Sequence, residues 1–241
     1  MFFYLLRERM KFIKSLICNC LCINNLHCIS KTGVEKFKKE PPKKYSSFKK
    51  TKNLYLNNNV YFDIYQDDVS TLDIETLLNK SKNIEKNQLL TAEHIVPQSY
   101  IKSFDNAKFD MHNIYLTTSH INTHRSNYKY CDESQLLHNK QDNFLDDYYD
   151  ANINYKNNKL KMFIPIASSR GIIARAIAYM KIIYTELSIE NIIDLDTLIK
   201  WNNQYPPSQL EKEKNLLIYQ IQGNYNEFIL NPDLINTLLK K

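Results

Sequence analysis

Three glycines in 241 residues make this an unusually glycine-poor chain. Where glycine is this rare, each one that remains is expected to answer a backbone need, and Gly171 and Gly223 are the two that stand beside helical patterns. Four of the five cysteines, Cys18, Cys20, Cys22 and Cys28, crowd the N-terminus, so Cys131 stands alone further on and an internal disulfide there is excluded. The CxCxC cluster has no matching second pair and is not a standard zinc site. No apolar run approaches the roughly 18 residues of a membrane-spanning helix. HExxH is absent, and so is any internal repeat.

What is present divides at about residue 52. Residues 31–52 hold nine Lys and two Glu, a net of +7, with Pro41-Pro42 and few apolar side chains. Such a stretch buries too little surface to offset its ordering entropy and is expected to be a disordered tail. Residues 1–30 add +3, so a chain of +6 leaves −4 for residues 53–241. The basic character belongs to the leader and tail, where Lys38, Lys39, Lys43, Lys44, Lys49 and Lys50 are the expected nonspecific nucleic-acid contacts, with a salt-dependent affinity. A plain solvated linker is the alternative. Hydrophobic residues make up 43% of the chain, enough for one core in residues 53–235, with 236–241 as a short C-terminal tail.

Chemistry concentrates in TAEHIVPQS and, some twenty residues on, HNIYLTTSHINTHRSN. Hydrolysing a phosphodiester takes a cation on the anionic phosphate and a base that makes hydroxide locally. Glu93 and the Asn122 carbonyl are hard oxygen donors of the kind Mg²⁺ prefers. His94, with an intrinsic pKa of roughly 6.5, can take a proton from water near neutrality. Extended backbone sends adjacent side chains to opposite sides, so bringing both to one phosphate requires a bend. The local pattern predicts a strand over 88–95 closed by Pro97, a second at Ile114-Tyr115-Leu116, and a helix from His120 to about Asn127 capped by Ser119.

These residues resemble the bacterial endonuclease I family, and the likeness continues through RGIIARAIAYM (170–180) and the stretch from Leu198 to Pro232. The resemblance implies an α+β fold, a mainly helical domain around a small ββα-metal (His-Me finger) core. It implies a Mg²⁺-dependent endonuclease of low sequence specificity, with Mn²⁺ or Ca²⁺ as substitute ions, acting on DNA and, as a second substrate class, RNA. His94 is then the general base, Glu93 and Asn122 hold the metal, Arg125 is a further catalytic group, and His112, Asn113 and Asn127 support the site. The chain departs from the family at Tyr225, where Arg is usual, at Glu227, where Pro is common, and at Ile172, where an acidic residue is common.

Each piece alone has a plainer explanation: Asn122 as a helix-start residue, Arg125 as a charge at a helix C-terminus, an EH dipeptide as ordinary polar sequence. Their joint order carries the reading. A zinc site of His112, His120 and His124 is one alternative, and a noncatalytic nucleic-acid-binding protein of the same fold is another. Downstream, Ile173, Ala176, Ile177, Met180, Tyr184 and Leu187 follow a helical stripe, with Arg170 and Arg175 expected in solvent. Ser208 and Glu211 form an SxxE capping box, Gly223 ends that helix, and Trp201 and Phe228 are expected in the core. Asp132–Asn158 reads as a long polar insertion. The lone Cys131 fits an intracellular setting; residues 11–23 resemble a signal peptide broken by Asn19, which makes secretion the alternative.

Overall fold

The apolar stripe that begins at Ile173 forms the central helix of the protein, but the helix ends at Ile183, so Tyr184 is its C-cap and Leu187 lies beyond it. In the computed structural model, which describes residues 42–44, 46–58, 60, 62–66, 90–137, 147–149 and 154–239, that helix is buried nearly all round. In chain order the elements are α1 (Phe48–Asn57), β1 (Leu90–His94), α2 (Gln98–Ile101), two 3₁₀ turns at Ala107–Phe109 and Met111–Asn113, β2 (Ile114–Thr118) and α3 (Ser119–Arg125). There follow β3 (Lys129–Tyr130), α4 (Glu133–Leu137), β4 (Asp147–Tyr149), β5 (Asn154–Asn157) and β6 (Met162–Ile164). The central helix is α5 (Ala167–Ile183), and α6 (Leu195–Gln204), α7 (Gln209–Gln222), α8 (Glu227–Leu230) and α9 (Leu234–Leu239) complete the scaffold. The protein is α+β and mainly helical.

The strands β1 and β2 pair antiparallel, with Leu90 opposite Thr118 and His94 opposite Ile114, and α3 starts directly after β2. Its N-cap is Thr118, whose hydroxyl accepts from Ile121 N, one residue earlier than the expected Ser119. A second sheet runs β3-β6-β5-β4, parallel between β3 and β6 and antiparallel elsewhere, and takes up part of the expected polar insertion.

The expected disorder to residue 52 already gives way before Phe48: Pro42 and Ser46 are buried, and Lys43 N donates to the Gln222 carbonyl at 2.9 Å. Ser47 caps α1, whose Tyr55 and Leu56 enter a cluster with Leu90, Met111, Leu116, Leu217 and Ile218. Lys52 Nζ donates to the Leu90 carbonyl at 2.8 Å. The lysines hid a helical stripe whose apolar members contribute about 1.5–3 kcal/mol each when fully buried. Lys43, Lys44, Lys49 and Lys50 keep their exposed side chains, whereas Lys38 and Lys39 lie outside the described residues.

Two other expectations are corrected. Arg175 is not solvated: it is buried against Glu211 in a two-pronged ion pair at 2.8 and 2.6 Å. Glu211 is thus turned to Arg175, while Ser208 still caps α7 through Glu211 N. Arg170 pairs with Glu133 and lies over the Trp201 ring. Gly171 is required by close approach, since a Cβ there would collide with the Tyr205 carbonyl oxygen; Gly223 is required by its φ of 86° at the end of α7. Trp201 and Phe228 are core residues as expected.

Candidate active site

Alternation along β1 sends Thr91 and Glu93 to one face and Ala92 and His94 to the other. Helix α3 serves the first face. From its first turn Asn122 Nδ2 donates to Thr91 Oγ1 at 3.1 Å and to the Ala92 carbonyl at 3.2 Å. With that nitrogen committed, the carbonyl Oδ1 is the donor atom Asn122 has for a ligand. One turn later Arg125 reaches Glu93, with Nη1 3.4 Å from Oε1.

Glu93 is 2% exposed, and its Oε1 also accepts from the Tyr65 hydroxyl at 2.7 Å. Burial pushes its carboxyl above the ordinary range, while the Arg125 charge and the Tyr65 hydrogen bond hold the rise in check. Arg125 itself is 1% exposed. Its Nη1 donates to the carbonyls of His94 (3.2 Å) and Ser126 (3.1 Å), its Nη2 donates to that of Ile95 (2.7 Å), and its guanidinium lies over the Tyr130 ring at 4.4 Å. A phosphate has no direct route to a guanidinium enclosed in this way.

His94, 5% exposed, meets a different set of groups. Its Nε2 is 2.8 Å from the Lys108 carbonyl, and its Nδ1 is 3.4 Å from Gln98 Nε2. A carbonyl only accepts, so Nε2 carries the hydrogen and Nδ1 keeps the lone pair. The Phe48 ring stands edge-on to the imidazole at 5.0 Å and rests on Phe109 at 5.2 Å. Burial lowers the His94 pKa, the Lys108 carbonyl works against this, and the Arg125 charge adds to it. The ring is therefore mostly neutral near pH 7.

The remaining site residues separate by role. Asn113 grips both backbone groups of Val96, in the bend that follows His94. His112 is buried, donates from Nε2 to the Asn224 carbonyl at 3.1 Å, and is pushed down to about 3 by burial, which leaves it neutral. Beside it the buried Asp110 accepts from Tyr179, Tyr184, Gln222 and the His112 backbone, so the QGN stretch at Gln222–Asn224 ties the end of α7 to the segment before β2. Asn127 is exposed beyond α3. His120 and His124 face each other with ring centroids 4.6 Å apart, but His112 is enclosed by Asn224 and Tyr179, and among the described residues no three His, Cys, Asp or Glu side chains group as a metal site. The zinc alternative therefore has no geometric support.

Sequence reading missed Phe48, Gln98, Lys108, Tyr65 and Tyr130. Gln98 could have been found as the residue four after His94, and Tyr65 ends VYFDIY, a stretch rich in strand-forming residues. Nothing in the lysine-rich segment pointed to Phe48.

The donor chemistry suits a hard cation. The Tyr65 and Arg125 contacts to Glu93 both fall on Oε1, and the His94 backbone N–H also hydrogen-bonds the carboxylate; a cation would be taken by Oε2 together with Asn122 Oδ1, an all-oxygen pair. The sequence model of the Endonuclease I family matches residues 25–233, and the chain belongs to that family. It is 30% identical over 128 residues to Endonuclease-1 of Buchnera aphidicola subsp. Acyrthosiphon pisum (strain APS), covering 53% of this chain and 47% of that protein. It is also 30% identical over 128 residues to the extracellular deoxyribonuclease of Aeromonas hydrophila, covering 52% and 51%. The chain thus spans about half the length of these relatives. Among the described residues no helix is long and apolar enough to cross a membrane.

Proposed function

We propose that the protein is a divalent-metal-dependent endonuclease of ββα-metal type that hydrolyses DNA, and RNA as a second substrate class, with little sequence preference. The observation that carries this reading is His94, one residue from Glu93: a neutral imidazole with Nε2 fixed on the Lys108 carbonyl and an unprotonated Nδ1 whose hydrogen bond from Gln98 Nε2 is long, at 3.4 Å, and would be replaced by an attacking water. Family membership and the two nuclease-named relatives support the same class.

In this reading His94 Nδ1 takes a proton from the water that attacks phosphorus, and Lys108 holds the ring and its tautomer through the attack. Glu93 and Asn122 are the residues that would hold the ion. Mg²⁺ fits their oxygen chemistry, with Mn²⁺ or Ca²⁺ as substitutes, and when bound it supplies positive charge for the phosphate and the departing 3′ oxygen. Arg125 acts as a positioning residue, fixing the His94 and Ile95 carbonyls while it balances the Glu93 charge. Asn113 and His112 support the site through backbone contacts, and Asn127 lies outside this network. The products would carry 5′-phosphate and 3′-hydroxyl ends. Exposed Lys43, Lys44, Lys49 and Lys50 supply nonspecific backbone affinity. The extracellular relative supports a secreted destination, and the free, buried thiol of Cys131 supports an intracellular one.

Supercoiled plasmid is the substrate that tests this. Purified protein should nick it with Mg²⁺, lose the activity in EDTA, and lose it in a folded His94→Ala variant. Full metal-dependent cleavage by that variant rejects His94 as the base. Intact plasmid in every lane, with retarded migration at low salt, assigns the protein to noncatalytic nucleic-acid binding instead.

A further inference from the structure

A carboxylate that holds a cation must be ionised, correctly turned and kept from closing onto a neighbouring positive charge. The neighbour of Glu93 is the buried Arg125, yet Nη1 stands 3.4 Å from Oε1, longer than the 2.7–2.9 Å of a tight charge-assisted pair. The closer partner of that oxygen is the Tyr65 hydroxyl, at 2.7 Å. Tyr65 has one hydroxyl hydrogen and also lies 2.7 Å from the Tyr130 hydroxyl. Donation to the carboxylate therefore obliges Tyr130 to donate to Tyr65, giving a directed chain from Tyr130 through Tyr65 to Glu93.

Tyr65 is held in place independently of Glu93. Its own N–H donates to Asp63 Oδ1 at 2.9 Å, and the adjacent Ile64 N–H donates to the Leu116 carbonyl of β2 at 2.9 Å. Its carbonyl accepts from Asn154 Nδ2 at 2.7 Å, while Asn154 Oδ1 accepts from Ile166 N at 2.9 Å. The ring is fully buried edge-on against Phe163, 5.1 Å away. Two sheets thus converge on one hydroxyl.

We infer that Tyr65, backed by Tyr130, is a positioning residue of the metal site: its hydroxyl holds Oε1 of Glu93 off the Arg125 guanidinium and leaves Oε2 for a divalent cation. The inference rests on Glu93 being a metal ligand, as proposed above. Without the hydroxyl the carboxylate is free to close onto Arg125, and the resulting tight pair competes with the cation. Removing such outer partners of ligands typically costs about 10–100-fold in metal affinity.

The test is Tyr65→Phe in the full chain, with Mn²⁺ binding followed by electron paramagnetic resonance and the Mg²⁺ requirement of plasmid cleavage measured in parallel. Mn²⁺ should bind about 10–100-fold more weakly. The Mg²⁺ concentration for half-maximal cleavage should rise with it, and excess Mg²⁺ should restore part of the rate. Tyr130→Phe should shift both in the same direction by less. A merely structural role would lower the melting temperature and the rate without moving Mn²⁺ affinity, and that result overturns the inference. Glu93→Gln separates the two levels. If it loses Mn²⁺ while Tyr65→Phe binds like the wild type, the inference falls and the metal site stands; if Glu93→Gln itself binds like the wild type, both fall. Should Tyr65→Phe not fold cooperatively, Tyr130→Phe carries the test, and an unchanged Mn²⁺ affinity there overturns it.

Discussion

Asn113 holds Val96 by both of its backbone groups: Val96 N donates to Asn113 Oδ1 at 2.8 Å, and Asn113 Nδ2 donates to the Val96 carbonyl at 3.0 Å. Ile95 N adds a bond to the Asn113 carbonyl at 3.1 Å. The side chain thus continues the strand pairing where β1 has ended and sets the bend just beyond His94.

Asn113→Ala leaves both Val96 groups buried without these partners, at about 1–3 kcal/mol for each. The variant should melt several degrees lower and cleave plasmid more slowly at saturating Mg²⁺. Asn113→Asp keeps the acceptor and loses the donor, so its melting temperature should fall between the two. A wild-type melting curve for Asn113→Ala would remove the clamp from the account.

Arg125→Met takes the positive charge from beside the buried Glu93 and leaves the His94, Ser126 and Ile95 carbonyls without its donors. Breaking a buried pair by removing one partner costs about 3–5 kcal/mol. Urea unfolding should show that loss, and adding Glu93→Gln should recover part of it, because the uncompensated charge is gone. Simple additivity of the two substitutions would mean that the pair is not coupled.

Gly171→Ala should destabilise the packing of α5 against the end of α6, because the new Cβ meets the Tyr205 carbonyl and lies 2.8 Å from the Tyr205 Cβ. Overpacking of this kind costs about 1–3 kcal/mol. The denaturation midpoint reads the effect, and an unchanged midpoint contradicts the close approach.

Stability should rise with pH through two buried bases. Burial holds Lys214, which donates to the Ile114 carbonyl at 3.1 Å, down to about 7, and holds His112 down to about 3. Between each folded value and its unfolded value, roughly 10.4 for Lys and 6.5 for His, the unfolded chain binds more protons. Stability therefore climbs from pH 3 to 6.5 through His112 and from pH 7 to about 10 through Lys214. As pH falls from 10 toward 7 the melting temperature of the wild type should drop more than that of Lys214→Met, so the difference between them shifts in the variant's favour. Parallel curves across pH 7–10 would reject the Lys214 contribution.

The legible parts of the site were those written in local sequence. The strand ending at His94, the strand at Ile114–Leu116 and the helix carrying Asn122 and Arg125 all follow from short-range pattern, and the structure has them within a residue or two at most boundaries. The start of α1 was hidden because its lysines dominate the composition while its apolar members recur only at helical spacing. Arg175 was misjudged because a charge looks solvated until its partner, Glu211, is known to be 36 positions away in a neighbouring helix.

By itself the sequence determined the residue types of the site, their order, and the helices that carry the scaffold, since propensity, capping and periodicity act over a few residues. The tertiary structure decided which atom each of those residues presents. His94 owes its tautomer to the carbonyl of Lys108, and Glu93 owes its orientation to Tyr65, 28 positions earlier. Arg125 faces inward because three carbonyls and a carboxylate converge on it. These are contacts between segments distant in the chain, and burial makes them decisive: a polar group removed from water takes its protonation and direction from whatever partner the fold brings to it.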